Sequence, residues 1–164
     1  MWGNSVKIVI VDDQTSARTM LRHILEDISP ELEVSDFGDS EEALRWSESN
    51  RPDLLLLDYR MPVIDGLEFA RRFRRALTNR DVPIVLVSVV GEELIHQAAL
   101  DAGVIDFLVK PVRPRELRAR CRNLLTLRRQ QLALEDRRRL LEHMVEDATR
   151  EVKEREKETL LRLA

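Results

Sequence analysis

Five short runs rich in valine, isoleucine and leucine recur along the first two thirds of the chain: VKIVIV (6–11), ELEVSDF (31–37), DLLLLD (53–58), PIVLVS (83–88) and VIDFLV (104–109). Between them lie stretches of about ten to fifteen residues with helical periodicity. Several of the runs are apolar at nearly every position, as strands covered on both faces must be. Strands that alternate with helices in this way pair in parallel, and right-handed crossovers distribute the helices over both faces. The expected fold is α/β, a five-stranded parallel sheet with the common strand order 2-1-3-4-5. Local chemistry marks two helix starts. Asp39 or Ser40 can cap a helix that has Glu42 in its first turn, and Pro114 suits a first helical position.

A second constraint lies after Pro114, because residues 115–164 contain neither glycine nor proline. One helix of that length would reach on the order of 70 Å, far more than a small domain covers. Leu117, Cys121, Leu124 and Leu125 are expected to face the α/β core. Beyond them Leu127, Leu134, Leu141 and Ala148 recur every seven residues, with Leu124, Val145 and Val152 in a companion column. That is a seam for pairing with another helix. Gln131 and Arg138 interrupt the companion column, and after Val152 the seam lapses into Arg155 and Thr159. The chain is therefore read as an α/β domain over residues 1–126 and a coiled-coil connector over 127–164. Charge divides in a similar place. Residues 1–112 carry 20 acidic against 12 basic side chains, and residues 113–164 carry 10 against 15.

Several functions are disfavoured. A single Cys121 permits no intrachain disulfide and no cysteine-based zinc site. The opening MWGNSVKIVIVDD has too short an apolar segment for a signal peptide, and no run approaches the roughly 18 apolar residues of a membrane span. A soluble, cytoplasmic protein without direct membrane or nucleic-acid binding is expected. The basic run RRFRR (71–75) fits a helix that buries Leu67, Ala70 and Phe73 and leaves its arginines in water. His23 and His96 lack metal-ligand spacing, and His143 reads as a surface residue of the long helix.

The acids at the strand ends are more informative. In open α/β sheets ligands bind beyond the carboxyl ends of the strands. There the first run delivers Asp12 and Asp13, the third Asp58, the fourth Ser88, and the fifth stops just before Lys110. Runs one and three are neighbours in the expected order, so three carboxylates converge and repel unless a cation sits among them. All-oxygen ligands suit Mg²⁺. Lys110 and Ser88 then supply a positive charge and a hydroxyl donor that could hold an anion, most economically a phosphoryl group, beside the metal.

Asp12-Asp13, the Asp58 segment with Met61-Pro62 and Asp65-Gly66, Ser88, Phe107 and Lys110-Pro111 together resemble the receiver domain of two-component response regulators, with its flavodoxin-like fold. The resemblance covers roughly residues 5–125. It implies that Asp58 is the nucleophile phosphorylated by a histidine kinase or a histidine phosphotransfer protein. It further implies that Asp13 and Asp58 bind Mg²⁺ with the backbone carbonyl of Arg60, and that Asp12 acts mainly through water. Ser88 and Lys110 would contact the phosphoryl oxygens, Ser88 and Phe107 would form the switch, and the Lys110-Pro111 bond would be cis. Val89 after Ser88 and Arg60 after the acceptor depart from the commoner pattern and bear on the lifetime of the phosphorylated state. The tail resembles, more loosely, the connector that precedes HD-GYP cyclic-di-GMP phosphodiesterase domains. A homodimer joined by this helix, driving an output domain beyond residue 164, is the expected arrangement.

Rival readings are a regulator of a GGDEF diguanylate cyclase and a stand-alone dimeric regulator. A haloacid-dehalogenase-type phosphohydrolase is the weaker enzyme alternative. It needs a second acid two residues after the nucleophile, and Gln14 follows Asp12 at that distance. With neither a GxxxxGK loop nor a GxGxxG turn, the chain is read as a switch and not as an enzyme, self-phosphorylation being its only chemistry.

Overall fold

The computed structural model describes residues 5–89 and 93–164. In chain order the elements are β1 (Val6–Val11), α1 (Thr15–Glu26), β2 (Leu32–Phe37), α2 (Ser40–Asn50), β3 (Leu54–Asp58), α3 (Gly66–Arg75), β4 (Ile84–Ser88), α4 (His96–Asp101), β5 (Asp106–Val109) and α5 (Pro114–Leu163). Single turns of 3-10 helix cover Leu77–Asn79 and Glu93–Ile95. All strand pairs are parallel, in the order β2-β1-β3-β4-β5. This is the flavodoxin-like arrangement expected from the alternation. β5 starts two residues later than its apolar run, since its ladder with β4 opens at Val85 opposite Asp106.

Alternation of side chains along each strand builds two cores. Ile8, Ile10, Leu54, Leu56, Val85 and Val87 face α1 and the first turns of α5, where they meet Leu21, Leu25, Leu117, Cys121 and Leu125. Their neighbours Val9, Val11, Leu55, Leu57, Ile84 and Leu86 face the opposite layer, against Ala43, Phe69, Ala70, Phe73 and Ala99. Each fully buried large side chain contributes roughly 1.5–3 kcal/mol, so the central strands are fixed in register by both faces. β3 and β4 are buried along their whole length, whereas the edge strands β2 and β5 are only partly covered. That explains why the runs of the two edge strands admit polar residues such as Glu33, Asp36 and Asp106.

Helix starts follow the local chemistry. Asp39 caps α2 by accepting from the Glu42 amide at 2.9 Å, and Asp65 caps α3 in the same way through Glu68. α5 begins on Pro114. In α3 the residues Leu67, Ala70 and Phe73 are buried as their spacing predicts, and Phe69 joins them. Arg74 departs from the solvated-face reading. Its guanidinium turns inward and donates to the carbonyls of Asn79, Val82 and Gly103 at 2.6, 2.6 and 2.7 Å, which ties the end of α3 to the entries of β4 and β5.

The chain divides into two compact units, the first ending at Arg128 and the second being Arg129–Ala164. In the second unit Leu134, Leu141, Val145 and Val152 are each more than half exposed. No helix of the described residues is long and apolar enough to cross a membrane.

Candidate phosphoacceptor and metal site

The carboxyl ends of β1, β3, β4 and β5 form one edge of the sheet. Asp12 follows the last residue of β1, and Asp58 closes β3. Parallel pairing of Val11 with Leu57 sets these two ends side by side. Carboxylate oxygens of Asp12, Asp13 and Asp58 all lie within 4.8 Å of one another. Asp12 and Asp58 are buried and Asp13 is exposed, so the cluster has a wet side. Lys110, one residue past β5, reaches into it. Its Nζ lies 2.8 Å from Asp58 Oδ1 and 3.2 Å from Asp12 Oδ2.

Electrostatics follow from this crowding. Burial pushes the Asp58 carboxyl above its ordinary value; the hydrogen bond to Lys110 opposes that, and the charges of Asp12 and Asp13 add to it. Burial alone would lower the Lys110 ammonium, yet its contacts with Asp58 and Asp12 outweigh burial and hold its pKa above the usual lysine value. Lysine therefore stays charged, while the carboxylates still outnumber it. A divalent cation restores neutrality, and the donor set consists only of hard oxygens, which is the chemistry Mg²⁺ prefers. The residues present fit such an ion.

Ser88 sits on the same edge, and Phe107 lies within β5 below it. Ser88 is the last residue of β4, buried, and its carbonyl accepts from the Lys110 amide at 2.8 Å. The Lys110–Pro111 bond is cis, as the resemblance implies. Phe107 pairs with Leu86 across β4 and β5, is partly buried, and packs its ring 4.2 Å from that of His96 on α4. The ring is thus partly exposed and packs between the sheet and α4. Arg60 is exposed two residues beyond Asp58.

Close packing beneath Asp58 depends on Gly66. A methyl group there would sit 2.7 Å from the carbonyl oxygen of Asp58, 2.9 Å from Leu86 Cδ1 and 3.0 Å from Tyr59 Cα. The Gly66 amide donates to the Tyr59 carbonyl at 2.8 Å, locking the start of α3 against the residue that follows Asp58. Because two of the three obstacles are main chain, relaxation is costly. Gly66→Ala is expected to lower stability by about 2 kcal/mol, read as an earlier urea midpoint, and to slow phosphorylation by displacing Asp58.

What the sequence reading missed is a basic pair on α1. Arg18 and Arg22 converge on Asp36 of β2. Burial alone would raise the Asp36 carboxyl, but the two guanidiniums hold it below its ordinary value. Arginines one helical turn apart, facing an acid on the adjacent edge strand, were the available signal.

The parallel five-stranded sheet thus ends in an acid cluster bridged by a lysine. Residues 8–122 match the family model for the response regulator receiver domain, and the chain belongs to that family. It is similar to the cyclic di-GMP phosphodiesterase response regulator RpfG of Xanthomonas campestris pv. campestris, with 65% identity over 170 aligned positions covering 99% of this chain and 45% of that protein. The chain spans about half the length of the curated relatives it matches. Among solved structures it resembles the chemotaxis response regulator CheY4 of Vibrio cholerae, at 30% identity and a TM-score of 0.68 over 74% of this chain and 99% of that one. It also resembles the receiver domain of a sensor histidine kinase from Pseudomonas aeruginosa, in which a magnesium ion is coordinated in the active-site cleft. There the identity is 28% and the TM-score 0.67, over 74% and 98% of the two chains.

Proposed function

We propose that the chain is the phosphorylation switch of a two-component system, in which Asp58 takes a phosphoryl group from a histidine kinase or a histidine phosphotransfer protein. One observation carries this reading: three carboxylates and the Lys110 ammonium converge at the end of the sheet, with Nζ 2.8 Å from Asp58. Asp13 and Asp58, with the backbone carbonyl of Arg60 and Asp12 acting mainly through water, would hold Mg²⁺. The bound ion would neutralise charge on both the carboxylate and the incoming phosphoryl group. An Asp58 oxygen attacks phosphorus as the phosphorus–nitrogen bond of the donor phosphohistidine breaks, leaving a free imidazole and an acyl phosphate. Lys110 and the Ser88 hydroxyl then bind phosphoryl oxygens. Ser88 moves toward them, Phe107 follows into the space it leaves, and the change passes to α5.

The second half of the reading concerns α5. We place the boundary of the receiver near residue 126, and read 127–164 as a connector that pairs two copies of the chain through Leu127, Leu134, Leu141 and Ala148. The similarity to a cyclic di-GMP phosphodiesterase response regulator extends over 99% of this chain, tail included, whereas other curated relatives match only about three quarters of it. That favours an HD-GYP phosphodiesterase as the output beyond residue 164 over a GGDEF cyclase. Incubation with acetyl phosphate and Mg²⁺ tests the switch. The expected product carries one phosphoryl group, removed by hydroxylamine as an acyl phosphate is; an acid-stable, hydroxylamine-resistant label would point to a different residue and refute it.

A further inference from the structure

Among the polar clusters outside the acceptor site, one reaches back to it. Arg18 lies in the first turns of α1, and its guanidinium makes three contacts at once. Nη1 donates to the backbone carbonyl of Asp12 at 2.8 Å, Nη2 to Thr15 Oγ1 at 3.2 Å and Nε to Asp36 Oδ2 at 2.9 Å. The first contact matters because of where it falls. The ladders of β1 end at Val11, opposite Phe37 and Leu57, so the peptide joining Asp12 to Asp13 is the first one beyond the sheet. Its carbonyl is held by a side chain where a strand partner would otherwise hold it. The Asp12 side chain is fixed on the other side by the Gln14 amide, which donates to Oδ1 at 2.9 Å.

We infer that Arg18 is a positioning residue for the acid cluster: by clamping the Asp12–Asp13 peptide it sets the directions of both carboxylates, and so the affinity of the site for a divalent cation. This deepens the reading of the site and rests on it. A planar guanidinium is suited to the task, since its fork spans two acceptors that a lysine ammonium, a single point of charge, could not hold together. Asp36 orients the fork, being anchored opposite Ile10 in the β1–β2 ladder. Gly38 leaves room for it. A methyl group on Gly38 would lie 2.8 Å from Nη1, so the absence of a side chain there permits the arginine to lie across the end of the strand. Arg22 shares the Asp36 carboxylate with Arg18, yet its main-chain contact is the Val34 carbonyl at 2.5 Å. It supports the network without touching the acid cluster's backbone.

The test compares Arg18→Lys, Gly38→Ala and Arg22→Met with the unaltered chain. Mg²⁺ binding is measured by calorimetry with the metal alone, and thermal unfolding is followed in parallel. Loss of a group that orients metal ligands costs about tenfold or more in metal affinity. Arg18→Lys is expected to weaken Mg²⁺ binding by about that factor, and Gly38→Ala to reproduce part of the loss with the arginine still present. Arg22→Met is expected to lower the unfolding temperature while leaving Mg²⁺ affinity within about twofold, a separation that a merely structural role for Arg18 would not produce. If Arg18→Lys binds Mg²⁺ as the unaltered chain does, or Arg22→Met weakens binding as much as Arg18→Lys, the inference is overturned while the site reading stands. If the unaltered chain itself binds no Mg²⁺, the site reading and this inference fall together.

Discussion

Asp58→Asn is expected to reduce phosphoryl incorporation from acetyl phosphate to background. The amide has no anionic oxygen with which to attack phosphorus, and Lys110 lies nearer to Asp58, at 2.8 Å, than to Asp12, at 3.2 Å. The same substitution is expected to make the metal-free protein more stable. Asp58 has a folded-state pKa raised above its ordinary value, chiefly by burial. The folded chain therefore holds the proton more tightly than the unfolded chain, and stability is lost as the pH rises from the ordinary carboxylate value through the higher folded-state one. A neutral asparagine is free of that cost at pH 7. Mg²⁺ reverses the order, because an ion that binds only the folded state stabilises it by mass action. Unfolding followed with and without Mg²⁺ should show the unaltered chain gaining stability from the metal and the variant gaining little. A variant that labels at an undiminished rate would remove Asp58 from the mechanism.

Leu134→Lys combined with Leu141→Lys is expected to convert a dimer into a monomer in sedimentation. Both leucines lie in the same seven-residue column and are 67% and 52% exposed in the isolated chain, an unfavourable state for apolar side chains on a helix unless a partner covers them. Burying one leucine contributes roughly 1.5–3 kcal/mol, and a pair related by symmetry places each of them in the seam twice. Lysines there forfeit that burial and set like charges across from one another. Retained labelling of Asp58 serves as the control for folding. An unchanged molecular mass would contradict pairing through this helix.

Much of the receiver could be read from the sequence because burial on both faces leaves a simple trace. β3 and β4 are buried at every residue, so their runs are uninterrupted and their ends, Asp58 and Ser88, stand out as the first polar groups. The acid cluster was legible for the same reason, since Asp12 and Asp58 mark where two adjacent strands leave the core. Side chains that act by reaching across elements were not legible. Arg18 looks like any basic residue of an amphipathic helix until the structure sets its guanidinium on the Asp12 carbonyl, and Arg74 looked solvated until its three carbonyl acceptors were in place. Those contacts depend on which way a long side chain turns at the end of its element, which helical periodicity does not encode. The start of β5 was blurred as well, because an edge strand is half covered and its apolar run continues into the preceding connection.

The central claim is that Asp12, Asp13 and Asp58 gather a divalent cation beside a nucleophilic carboxylate. A crystal structure of the chain with Mg²⁺ and beryllofluoride measures this directly. The account predicts one ion among these three side chains and a fluoride cage bonded to an Asp58 oxygen, within reach of Ser88 and Lys110. An empty cluster, or beryllofluoride attached elsewhere, would contradict it.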